Sequence, residues 1–171
     1  MKIYFTAWHS PVGKLHIASS DKGLVQVNLR DEKDFFCELR HSFPDANLVE
    51  SEEKNQLVIR ELEEYFAGER KEFSVPLHLK GTEFHQRVWR ALCEIPFGKT
   101  ASYKEIAERI GNPKAIRAVG QANHRNPIPI IIPCHRVIGA NGHLTGYGGG
   151  MEMKEKLLVH EGVALNGSKI A

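Results

Sequence analysis

The residues with the most chemistry to offer stand together in "IPIIIPCHRVIG", positions 128–139. Cys134, His135 and Arg136 follow one another directly after an apolar run that contains Pro129 and Pro133. A thiol attacks carbon as its thiolate, and with an ordinary pKa of about 8.5 it needs a base or positive surroundings to do so at neutral pH. Histidine and arginine are residue types that supply them. Adjacent side chains often diverge, so the tripeptide alone also describes an inert buried cysteine followed by two surface charges. The setting adds weight: "IPIII" is short, β-branched and apolar enough to be buried. Its two prolines predict an edge or irregular strand, which would present Cys134 from a stiff support.

The elements upstream must position this thiol against something. "TEFHQRVWRALCEIP" predicts a helix with Thr82 as N-cap and Phe84, Val88, Leu92 and Ile95 along one face. In "SYKEIAERIGNPKAIRAVGQANHRNP", Ser102 and Glu105 form an S-x-x-E capping box, and Ile106, Ala107 and Ile110 make an apolar face. Gly111 suits the left-handed position after a helix, Asn112 can cap, and Pro113 fits the first turn of a second helix. Two short helices across such a turn form a helix-turn-helix pattern, one shared with plain helical hairpins. The second helix is nearly bald, with Ala115, Ala118, Gly120 and Ala122, while Arg117 is the long cation in its middle. Small residues allow tight packing, with Arg117 merely solvated; they also allow close approach to a DNA groove, with Arg117 entering the base stack.

Composition bounds the alternatives. The chain has 171 residues, 42% hydrophobic and 26% charged, enough for one core or two small ones. No apolar run is long enough to span a membrane, and "MKIYFTAWHSPVGK" lacks the apolar core of a signal peptide, so a cytoplasmic location and no membrane partner are expected. Cys37, Cys93 and Cys134 are three and far apart, which argues against a disulfide framework or a closed zinc site; Cys93 reads as a small packing residue on its helix. Residues 1–78 hold 10 basic and 14 acidic side chains, and residues 79–171 hold 13 and 7, net charges of −4 and +6 that make up the +2 of the chain. A basic second half points to a polyanion. The first half reads as an antiparallel meander around Pro11-Val12-Gly13 and Asp21-Lys22-Gly23, followed by a helix in "EKNQLVIRELEEYFAG". His9, His16, His41 and His78 are scattered there without forming a site.

"PCHRVIG" preceded by "NPIPIII", the "RAVG" helix, and "GYGGGMEMKEKLLVHEG" downstream together resemble the methylated-DNA protein-cysteine methyltransferases, the O6-alkylguanine-DNA alkyltransferases. The resemblance is strong over residues 81–162. It implies an α+β fold: an N-terminal ribonuclease-H-like α/β domain over residues 1–78 and a C-terminal winged-helix-like domain over 79–171.

The resemblance also implies roles. Cys134 would be the nucleophile and alkyl acceptor; His135 would take its proton, through a water, and Glu161 would support the histidine. Asn126 would brace the active-site turn, and Tyr103 would donate its hydroxyl to the guanine ring as the leaving group gains charge. Arg117 would fill the gap left by a flipped nucleotide, with Ala115, Gly120, Asn112, Lys104 and Arg136 on the DNA side in the minor groove. Val137, Tyr147 and Gly148 would wall the base pocket; Gly148 replaces a serine of some members, leaving backbone donors only and more room for larger alkyl groups. The implied substrate is double-stranded DNA containing O6-alkylguanine, repaired once per molecule by a monomer without metal or other cofactor. Two other classes compete. A Cys-His hydrolase or acyltransferase would use the same nucleophile without calling for the helix-turn-helix. A non-catalytic lesion-sensing module would keep the helix and Arg117 but, in such relatives, lacks the cysteine.

Overall fold

The computed structural model describes every residue except Arg30 and residues 146–149. The chain forms two compact units, Met1–Lys80 and Gly81–Ala171, dividing two residues beyond the charge boundary.

The first unit is built on a four-stranded sheet in the order β3-β2-β1-β4, where β1 is Lys2–Ser10, β2 Gly13–Ser20, β3 Gly23–Asn28 and β4 Asn47–Glu50. Its first three strands are the antiparallel meander expected, and β4 joins β1 in parallel. Side chains alternate across a strand. Odd positions of β1 therefore turn Ile3 and Phe5 to one face, against helix α1 (Glu32–Ser42) through Phe35, Phe36 and Leu39. Even positions turn Tyr4 and Trp8 to the other, where Trp8 meets Phe66 of α2 (Gln56–Phe66). Covered on both faces, β2 is buried at five consecutive positions. The sequence reading passed over α1 and β4, although Asp31 signals α1 by capping it through the Asp34 amide.

In the second unit, α3 (Glu83–Cys93) is capped by Thr82, which accepts from the His85 amide, and buries Val88, Trp89 and Leu92. Cys93 is exposed, contrary to the packing role expected, because it falls off that buried face. A two-residue strand β5 (Ala101–Ser102) leads into α4 (Tyr103–Arg109), with Ser102 accepting from the Glu105 amide. Gly111, at φ 78°, reverses the chain in a conformation that other residues adopt only with strain. The second helix of the pair, α5 (Ile116–His124), starts later than the sequence suggested. Asn112 does not cap it; its carbonyl accepts from the Ala115 amide in an intervening turn, and Ala115 takes the cap position. The Trp89 indole donates to the Ala122 carbonyl at 2.9 Å and ties α3 to α5. Beyond lie β6 (Val137–Ile138), parallel to β5, then α6 (Met151–His160) and a small hairpin of β7 (Leu165–Asn166) and β8 (Lys169–Ile170).

Candidate active site

The expected strand before Cys134 is instead a self-contained turn. Ile132 donates its amide to the Ile128 carbonyl at 2.9 Å, and the Asn126 side chain closes the same loop from outside. Its Nδ2 donates to the Ile132 carbonyl at 2.8 Å while its Oδ1 accepts from the Ile128 amide at 2.9 Å. Pro129 and Pro133 carry no N–H for a ladder, so local bonds replace strand pairing. Ile128, Ile130 and Ile132 are wholly buried. Ile130 sits at φ 76°, the one described residue other than glycine at positive φ. Such a conformation costs about 1–3 kcal/mol, and burying an isoleucine side chain, worth about 1.5–3 kcal/mol, offsets it.

Pro133 then makes an inverse γ-turn at φ −80°, ψ 64°, in which the Cys134 amide donates to the Ile132 carbonyl at 2.8 Å. A single 3-10 turn, Cys134–Arg136, follows and runs into β6. The result is a thiol only 4% exposed, on a backbone fixed from both sides. From α5, Asn123 adds a buried 3.4 Å hydrogen bond to the Cys134 carbonyl.

His135 and Arg136 both turn inward to Glu161, the residue that ends α6. His135 Nε2 lies 2.8 Å from Glu161 Oε2. Arg136 grips both carboxylate oxygens, Nε to Oε1 at 2.8 Å and Nη2 to Oε2 at 2.9 Å, and gives Nη1 to the Ile95 carbonyl at 2.6 Å. Its guanidinium also lies over the Phe97 ring. The placement of Arg136 on the DNA side is thereby corrected: it is buried, with its donors committed inside the protein. Burial opposes the charge on Glu161, but hydrogen bonds from His135 and Arg136, together with the permanent charge of Arg136, hold the carboxyl well below the usual range. Burial holds His135 below its ordinary value, more strongly than Glu161 raises it. The site thus favours the neutral imidazole, with Arg136 as the lasting counter-charge. Nδ1 of His135 is buried and makes no hydrogen bond among the described residues.

The β5–β6 pairing, Ala101 beside Val137, brings the start of α4 next to the cysteine segment. Tyr103, the first residue of α4, is half-buried, and its hydroxyl lies 2.5 Å from Oγ1 of Thr145. Val137 is wholly buried, and its carbonyl accepts from Lys154 Nζ at 2.6 Å. Tyr147 and Gly148, the other expected pocket residues, lie outside the described residues.

Tyr103 also lines an open depression of about 500 Å³ with Ile116, Arg117 and Gly120 of α5. Arg117, Lys104 and Asn112 are exposed, and Ala115 and Gly120 are partly so. A methyl group built on Gly120 would meet only the Tyr103 ring, at 3.8 Å, so nothing inside the protein demands glycine there. Among the described residues no group of three or more His, Cys, Asp or Glu is arranged to hold a metal, and no helix is long and apolar enough to cross a membrane. Sequence reasoning missed Asn123, Thr145 and Lys154; a lysine amid the apolar positions of "MEMKEKLL" was the one signal on offer.

Family models match both units: the ribonuclease-like domain of 6-O-methylguanine DNA methyltransferase over residues 3–79, and the DNA binding domain of the same proteins over residues 83–163. The chain is 52% identical over 160 residues to a methylated-DNA–protein-cysteine methyltransferase of Methanosarcina acetivorans, covering 94% of this chain and 99% of that one. The chain belongs to the methylated-DNA–protein-cysteine methyltransferase family. Another member, from Mycobacterium tuberculosis, is 50% identical over 91% of this chain and 90% of its own. The crystal structure of the M. tuberculosis O6-methylguanine methyltransferase superposes with a TM-score of 0.80 at 44% identity, covering 93% of this chain and 92% of that one. M. tuberculosis OGT in complex with DNA gives the same score and identity over 94% and 92%. The family's two-domain α+β architecture is the one found here.

Proposed function

We propose that the protein repairs O6-alkylguanine in duplex DNA by moving the alkyl group onto Cys134, once per molecule. The observation that carries this reading is the buried Cys134, followed in the chain by a buried His135 whose Nε2 lies 2.8 Å from Glu161 Oε2. With Nε2–H donated to the carboxylate, Nδ1 holds the basic lone pair, and it takes the thiol proton, directly or through water. The sulfur forms its bond to the alkyl carbon as the bond from that carbon to O6 breaks, and the electron pair leaves with the base. Tyr103 gives its proton to the departing purine. The product is a thioether, which has no carbonyl for water to attack, so the cysteine is not regenerated. The charge on Glu161 stabilises the imidazolium that the step creates.

DNA delivers the base. In this reading the bare surface of α5 lies in the minor groove, Arg117 occupies the space of the flipped nucleotide, and Lys104 meets phosphate. Asn126 holds the cysteine turn against the incoming base, and Val137 forms part of the pocket wall. Membership in the family and the likeness to a relative solved with DNA support the assignment.

The test is intact-protein mass after incubation with a duplex carrying one O6-methylguanine, followed by peptide mapping. We expect each chain to gain one methyl, on Cys134, and Cys134→Ser to gain none while still binding the duplex. A chain that binds the lesion tightly and gains no mass would sink the transfer reading.

A further inference from the structure

Tyr103 has one proton, and its oxygen already has a neighbour in Thr145 Oγ1 at 2.5 Å. Either hydroxyl can donate, and the two directions have opposite chemical meanings. A phenol donating to Thr145 has no proton left for a base. A threonine donating to the phenol oxygen leaves that proton free and draws charge from the oxygen, making the phenol a better acid. Burial pushes Tyr103 up from its ordinary value; the Thr145 hydrogen bond works in the opposite direction, and Cys134 adds to the rise.

Something must hold Thr145 for this to matter. Its carbonyl accepts from Lys154 Nζ at 3.2 Å, and the same ammonium donates to the Val137 carbonyl at 2.6 Å. Lys154 is 0% exposed, and burial pushes it down to about 8, with Cys134 acting the other way. Neither of its bonds is to a carboxylate. Among the described residues its hydrogen bonds go to carbonyls, a costly burial for an ammonium, and one of its effects is geometric. It ties the segment that ends at Thr145 to β6, next to the cysteine turn.

We propose that Thr145 is a positioning residue for alkyl transfer: anchored through its carbonyl by Lys154, it donates to the Tyr103 oxygen and frees the phenol proton for the departing purine. This rests on the role given to Tyr103 above. Thr145 itself makes and breaks no covalent bond. The phenol proton goes to the purine as sulfur displaces it from the alkyl carbon, and Tyr103 recovers a proton from water.

Thr145→Val keeps the shape and removes the hydroxyl, whereas Thr145→Ser keeps the hydroxyl. Each is measured in single-turnover transfer at saturating protein on an O6-methylguanine duplex, with the duplex Kd measured separately. We expect Thr145→Val to slow transfer by about tenfold to a hundredfold, to leave Kd within about twofold of wild type, and Thr145→Ser to restore the rate. In a Tyr103→Phe background Thr145→Val should add no further loss. A Thr145→Val rate equal to wild type, or losses that multiply fully in the double variant, overturns the proposal. A Tyr103→Phe rate equal to wild type overturns the role of Tyr103 itself. If Thr145→Val does not fold, Thr145→Ala takes its place in the same cycle, read the same way.

Discussion

Glu161 serves two neighbours with different demands. Arg136 is permanently charged and neutralises the carboxylate through two short bonds. His135 need not be a cation to be held there, and so it remains a base. An unfolded chain takes up a proton at His135 near pH 6.5, which the folded imidazole resists. Stability from this group is therefore complete above that pH and falls as acid is added below it. His16 and His78 are also held low, so the share of His135 is a difference between variants. We expect the Tm of wild type to drop more than that of His135→Gln between pH 6.5 and about 5; parallel curves would contradict a buried neutral histidine. "CHR" announced the site in the sequence, and "HEG" its carboxylate. The direction of Arg136 was illegible there, because a one-dimensional string does not say which of three consecutive side chains turns inward.

Helices α3 and α4 of the second unit were legible because their signals are local. Thr82 and Ser102 cap as their spacing predicts, and Gly111 reverses the chain where expected. The run before Cys134 was misread because composition describes its burial but not its hydrogen bonds. Five apolar residues suit a buried strand equally well, and the two bonds of the Asn126 side chain decide for the turn. On α5, Gly120 weakens its own helix, since glycine in a helix interior is less favourable than alanine by about 1 kcal/mol. The space around it accepts a methyl group. Gly120→Ala should therefore raise stability by up to about 1 kcal/mol in chemical denaturation while weakening duplex binding. Unchanged binding would mean that the smooth face of α5 is not what DNA approaches.

At the scale of the whole molecule, the change in charge after residue 78 and the boundary between the two compact units fall two residues apart. The acidic portion folds as the sheet unit and the basic portion carries the candidate site. Of the elements missed in the first unit, α1 did carry a local signal in its Asp31 cap, whereas β4 is four residues long and takes its register from β1, far away in sequence. Of the three thiols, Cys37 and Cys93 are exposed and Cys134 is buried. In time-resolved labelling of the native protein with iodoacetamide, Cys37 should be modified well before Cys134; reaction at Cys134 first would contradict its enclosure.

The depth of Cys134 also bears on waste. A reagent consumed by its first reaction is lost to any stray oxidant or free alkylating agent that reaches it sooner than its target. In the proposed single-use reaction, enclosure of Cys134 makes such encounters rare while the protein waits, so spent molecules would count lesions rather than passing electrophiles.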